Sequence, residues 1–134
     1  TLSLICDGID GSLAIITGKA SKWGAMLDSV VDRVTEFFWA LTFIAIGANK
    51  YVVIAALLIA SVQEYLRARV GGLGLSEVGV VTIAERPVRA SILFVAVIAF
   101  ILNMEIVNIL AIIWLMMQSF SLLTLTRFTY KELN

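Results

Sequence analysis

The chain has 134 residues, 60% of them hydrophobic and 15% charged, with 10 Lys+Arg against 10 Asp+Glu. A soluble domain is about half apolar and a quarter charged, so a chain of this size could not hide its apolar surface from water, and lipid is the expected solvent. One cysteine excludes an internal disulfide framework, the absence of His removes the commonest catalytic base and metal ligand, and zero net charge argues against nucleic acid as a bulk partner.

The length suits one domain, residues 1–134. Thr1 falls inside an apolar stretch, so the chain is expected to be a fragment lacking an N-terminal part. In chain order, Thr1–Ile16 reads as the last part of a span and Thr17–Lys22 as a short polar loop. Spans are expected over Trp23–Ala48, Tyr51–Val70, Arg86–Leu102 and Ile106–Lys131. Turns are expected at Asn49-Lys50, Gly71–Gly79 and Asn103–Glu105. Pro87 suits the first turn of a helix, where its missing N–H costs nothing. A crossing helix needs roughly 20 mostly apolar residues. Of the uncharged runs 37–49, 51–63, 90–104 and 106–126, the last alone meets that length, so the other spans must carry ionisable residues at or near membrane depth, where such groups are expensive and functional. The expected fold is an all-α polytopic transmembrane helix bundle. Lys19, Lys22, Arg33, Arg67, Arg69, Arg86, Arg89, Arg127 and Lys131 fall on one side and Lys50 on the other; the positive-inside rule makes the crowded side cytoplasmic.

Four aspartates stand at that face. Asp7 and Asp10 are three apart, Asp28 and Asp32 four apart, so each pair shares a helix face. The short Thr17–Lys22 loop makes the two helices antiparallel neighbours, and the pairs can meet. Four ionised carboxylates would repel one another in a low dielectric, and a divalent cation removes that problem; oxygen-only ligands suit Mg²⁺, Mn²⁺ or Ca²⁺ rather than zinc. Interfacial caps and ion-pair partners are the plainer alternative. Gly8, Gly11, Gly18 and Gly24 serve either close helix packing or the approach of a nucleotide to the backbone; spacing leaves both open.

From Asp7 the chain reads D-G-I-D-G-S-L-A-I, then eight residues, then G-A-M-L-D-S-V-V-D. This closely resembles the CDP-alcohol phosphotransferase signature, D-x2-D-G-x2-A-R-x8-G-x3-D-x3-D. Asp7, Asp10, Gly11, Ala14, Gly24, Asp28 and Asp32 match in identity and spacing, and Ile15 stands where the family has Arg. The resemblance implies a six-helix membrane enzyme, usually a homodimer, of which this chain would hold the end of helix two and helices three to six. Tyr65–Arg69, Glu85–Arg89 and Arg127 resemble the family's inositol-phosphate-type branch.

The family reaction displaces CMP from a CDP-alcohol by a second alcohol. The resemblance implies that Asp7, Asp10, Asp28 and Asp32 hold metal, two Mg²⁺ or Mn²⁺ ions with Ca²⁺ as another occupant, and that Asp32 is the general base. Asp7, Gly11, Ala14, Gly24 and Asp28 would bind the nucleotide, with Ser12 or Thr17 adding hydrogen bonds. Arg67, Arg89 and Arg127 would seat the acceptor phosphate, since converging guanidinium groups bind phosphate by forked hydrogen bonds. Arg69 and Arg86 read as topology or ion-pair residues with Glu64 and Glu85 as partners, and Arg33 as neutralising an acid other than Asp32. Trp23, Trp39 and Trp114 read as belt or packing residues, and Cys6 as a small buried residue.

The expected activity is therefore a phosphatidyl- or archaetidyl-inositol-phosphate synthase-like transferase in the cell membrane, its active site facing the cytoplasm. Its donor would be CDP-diacylglycerol or CDP-archaeol. A CDP-inositol:inositol-phosphate transferase is the alternative within the family. A divalent-cation or proton-coupled transporter is the alternative from another class, and a catalytically degraded family member a third.

Overall fold

A computed structural model describes residues 22–73 and 82–133. Four helices fill most of them: α1 Lys22–Ala45, α2 Lys50–Gly72, α3 Arg86–Ile101 and α4 Val107–Leu133. Among the described residues there is no strand, and the architecture is that of an all-α membrane helical bundle. The four helices match the four expected spans to within three residues at either end. Thr1–Ile16, the Thr17–Lys22 loop up to residue 21, and most of the Gly71–Gly79 turn lie outside the described residues.

Local chemistry sets the helix ends. α1 stops short of Ala48 because Gly47 adopts φ 100°, with Gly47 N–H bonded to Ile44 O at 3.1 Å and Ala48 N–H to Phe43 O at 3.0 Å. α3 ends in the same way: Asn103 takes φ 54°, its N–H bonds Phe100 O at 3.1 Å and Met104 N–H bonds Ala99 O at 2.8 Å. Both are Schellman endings, which need a left-handed residue that Gly supplies freely and Asn tolerates. Asn49 caps α2 through its side chain, which accepts from Tyr51 N–H at 2.9 Å. Asn108 Oδ1 in turn accepts from Asn49 N–H at 2.7 Å, tying the starts of α2 and α4 together.

The chain divides into two compact units, residues 1–38 and 39–134. In the first, α1 exposes Met26, Leu27, Val30, Val31, Val34, Phe37 and Phe38 while it buries Glu36. The second contains the end of α1 and all of α2, α3 and α4. There α2 and α4 run parallel, since Asn49 meets Asn108 near their starts and Gln63 meets Gln118 further along. Their seam repeats at three- and four-residue steps: Val53, Ala56, Ala60 and Gln63 on α2, Val107, Ala111, Trp114, Gln118, Ser121 and Leu125 on α4. Ala and Ser let the backbones approach closely, and Trp114 stacks on Phe43 with ring centroids 5.5 Å apart. Outside the seam α4 exposes Ile109, Ile112, Ile113, Met116, Phe120 and Leu123. Small and polar side chains inside with large apolar ones outside is the distribution that lipid favours and water opposes. α2 and α4 are long and apolar enough to cross a membrane.

Candidate functional site

Of the residues expected to carry chemistry, Asp7, Asp10, Gly11 and Ala14 lie outside the described residues, as do Cys6, Ser12, Ile15 and Thr17. Gly24, Asp28 and Asp32 are on α1 at four-residue intervals, and Glu36 continues the interval. These positions form one slowly winding stripe of the helix. Burial rises along it: Asp28 is exposed, Asp32 half-buried and Glu36 buried. Arg33 Nη1 lies 2.7 Å from Glu36 Oε2, so Arg33 does neutralise an acid other than Asp32. Glu36 was not singled out from the sequence, although the continuing four-residue step was there to read. Carboxylate oxygens suit a hard divalent cation. Among the described residues no group of three or more His, Cys, Asp or Glu could hold a metal ion; Asp28 and Asp32 are half of the expected four-carboxylate set.

In the second unit, Arg67 and Arg89 are brought into one cluster between α2 and the start of α3. Arg67 donates through Nη1 to Glu85 Oε2 at 3.1 Å, through Nη2 to Glu85 Oε1, and through Nη2 to Thr82 Oγ1 at 3.0 Å. Arg89 Nη2 donates to Glu64 Oε1 at 2.9 Å. The two ion pairs cross: α2 offers a cation to Glu85 and an anion to Arg89. The sequence offered Glu64 and Glu85 as partners for Arg69 and Arg86; the structure shows Glu85 holding Arg67 and Glu64 holding Arg89. Arg69 is exposed on α2, and Arg86 stands 5.7 Å over the Trp39 ring. Residue 67 lies four beyond Gln63 on the α2 seam, whereas 69 falls off it.

A polar ladder supports the cluster. Thr82 Oγ1 accepts from Gln63 Nε2 at 3.1 Å, and Gln63 Oε1 accepts from Gln118 Nε2 at 2.7 Å. Ser121 Oγ accepts from Ala84 N–H at 3.0 Å. Thr82, Gln63, Gln118 and Ser121 are all buried, and a buried amide or hydroxyl must find such partners. None of the four was singled out from the sequence; a glutamine inside an apolar run is the signal that pointed to Gln63 and Gln118. Burial pushes the Glu85 carboxyl up, but the hydrogen bonds from Arg67 and Thr82 outweigh it and hold the group below the usual carboxylate range. Arg127 is exposed near the end of α4. Because α2 and α4 are parallel, that is the same end of the unit as Arg67. At the opposite end an open cleft of about 570 Å³ is lined by Ile46, Gly47, Phe100, Asn103, Met104, Glu105, Val107 and Asn108, none of them an expected site residue.

The sequence model of the CDP-alcohol phosphatidyltransferase family matches residues 1–126. The chain is 39% identical over 74 residues to an archaetidylinositol phosphate synthase of Aeropyrum pernix, covering 55% of this chain and 38% of the relative. It is 37% identical over 93 residues to a protein of that name from Pyrococcus horikoshii, covering 67% and 48%. It is 38% identical over 103 residues to a phosphatidylinositol phosphate synthase of Streptomyces avermitilis, covering 72% and 42%. The chain thus spans less than half the length of these relatives. No solved structure matches it significantly.

Proposed function

The chain belongs to the CDP-alcohol phosphatidyltransferase family, and from that premise we propose that the protein transfers a substituted phosphate from a CDP-alcohol to an inositol phosphate with release of CMP. CDP-archaeol or CDP-diacylglycerol is the donor. One observation carries the reading: the gapped signature from Asp7 to Asp32 matches at seven positions, and its second half lies on one stripe of α1. The names of the relatives favour the inositol-phosphate acceptor.

The family is membrane-bound and generally dependent on a divalent metal. Asp7, Asp10, Asp28 and Asp32 fit such an ion by donor chemistry, being hard oxygen ligands with no competing His. When bound, Mg²⁺ or Mn²⁺ neutralises charge on the diphosphate and on the departing CMP. Asp32 takes the proton of the acceptor hydroxyl, whose oxygen then bonds to the phosphorus bearing the donor alcohol as the bond from that phosphorus to CMP breaks. Asp7 and Asp28 also contribute to the nucleotide site, where Gly11, Ala14 and Gly24 leave room for the cytidine. Arg67, Arg89 and Arg127 seat the acceptor phosphate. The crowding of basic residues supports a cytoplasmic active site, and a homodimer belongs to the same proposal.

The test follows CMP release by the full-length protein in detergent or bilayer. CDP-archaeol, CDP-diacylglycerol and CDP-inositol are each paired with inositol phosphate, glycerol phosphate and serine, with Mg²⁺, Mn²⁺ or chelator. Metal-dependent release with a CDP-lipid and inositol phosphate is expected. Release with CDP-inositol alone would move the donor to the soluble alternative, and metal-dependent flux without CMP would replace the transferase by a transporter.

A further inference from the structure

The Arg67–Glu85 pair is more tightly specified than a membrane-surface anchor requires. Both carboxylate oxygens of Glu85 accept from Arg67, and Oε1 also accepts from the Thr82 N–H and hydroxyl, each at 2.9 Å. The Thr82 hydroxyl thereby uses its one donor on Glu85 and takes Gln63 and Arg67 as its two donors in return. Gln118 holds Gln63 from α4. The Arg67 guanidinium is oriented by groups from α2, from the 82–85 segment and, through Gln63, from α4. Glu85 is also the N-cap residue of α3, yet its side chain makes no cap hydrogen bond; its carboxylate leaves the first-turn N–H groups and turns to Arg67.

An unrestrained arginine loses rotamer freedom when it grips a phosphate. One whose guanidinium is already held in place by its neighbours loses less and binds more tightly. Arg89 has a side chain only 2% exposed, against 23% for Arg67, so Arg67 is the more accessible of the two paired cations. We propose that Glu85 is a positioning residue of the acceptor site, aiming Arg67 at the acceptor phosphate while Thr82 fixes the carboxylate. The inference rests on the reading of Arg67 as part of the phosphate seat.

The test uses the full-length protein in detergent or bilayer with a CDP-lipid donor and inositol phosphate, comparing wild type, Glu85→Gln, Glu85→Asp, Arg67→Gln and the double variant Arg67→Gln/Glu85→Gln. Glu85→Gln should raise the acceptor KM by about tenfold, leave the donor KM and kcat within about twofold, and be partly rescued in Glu85→Asp. Since Glu85 acts through Arg67, the double variant should be no worse than Arg67→Gln alone. Should thermal unfolding show that Glu85→Gln does not fold, Thr82→Val carries the test, with a smaller rise of acceptor KM alone. An unchanged or lowered acceptor KM in the variant that folds, an equal loss on the donor side, or additive effects in the double variant would overturn the inference. Wild type that turns over no inositol phosphate would overturn it together with the functional reading; normal wild-type turnover beside an unmoved KM would overturn it alone.

Discussion

On α1 the acids repeat with one sign, Asp28, Asp32 and Glu36 at four-residue steps, and Arg33 reaches Glu36. Between α2 and α3 the signs alternate instead, and each cation has its carboxylate, Arg67 with Glu85 and Arg89 with Glu64. Like charges four apart work against a helix, and the metal site proposed above gives the α1 stripe a use for them. The α2–α3 cluster is balanced internally and holds the fold as well as any ligand. Substitutions in the two regions should therefore separate: those on the stripe remove turnover and spare stability, and those beneath the cluster remove stability.

The largest effect is expected at Asp32. Asp32→Asn keeps the shape of the side chain and removes the base, so CMP release should fall by about 10²- to 10⁴-fold. Its thermal midpoint without added metal should change far less than its turnover. A matching fall in midpoint would break the comparison and make Asp32 a structural residue. The converse holds at Gln118. Gln118→Leu leaves buried Gln63 Oε1 without its donor and should cost about 1–3 kcal/mol, read as a lowered unfolding midpoint in detergent. Ala56→Leu, at a fully buried seam position, overpacks the α2–α4 contact and should cost about 1–3 kcal/mol. Ala56 stands outside the proposed site, so activity per folded molecule should survive Ala56→Leu, whereas Gln118→Leu should also raise the acceptor KM by loosening the ladder behind Arg67.

What could be read from the sequence was what is local. The helix bounds follow from apolar runs and from turn residues such as Asn49 and Asn103, though Gly47, read as part of the span, ends α1 early, and the α1 stripe follows from a fixed spacing along one helix. The partners of Glu64 and Glu85 were not local. The resemblance sets Arg67 and Arg89 apart from Arg69 and Arg86, but which carboxylate each of them meets depends on how the helices pack. The side of α2 that meets α4 is marked by Ala56, Ala60 and Gln63 rather than by the most hydrophobic residues, because in a chain surrounded by lipid hydrophobicity does not distinguish inside from outside. Thr82 was illegible for a related reason: its value lies in one hydroxyl that accepts from α2 side chains 15 and 19 residues earlier in the chain.

The smallest expected effect sharpens the comparison by asking what holds the cluster together. The Glu85 carboxyl is held below its ordinary range, so the folded state favours the ionised form. The stability this supplies is fully present above the unfolded carboxylate value, about 4.3 for Glu, and is lost as pH falls from there through the lowered folded value. Between pH 5 and 8 the group should contribute a constant amount. Below pH 5 the unfolding midpoint of wild type should fall more steeply than that of Glu85→Gln, which has no such proton to take up. Comparing the two chains cancels the titration of every other carboxylate. The pair is partly exposed, so the gap should be small and shrink further in high salt. Parallel acid profiles would mean that the neutral ladder of Thr82, Gln63 and Gln118 holds the segment by itself, with the Arg67–Glu85 bond adding direction rather than stability.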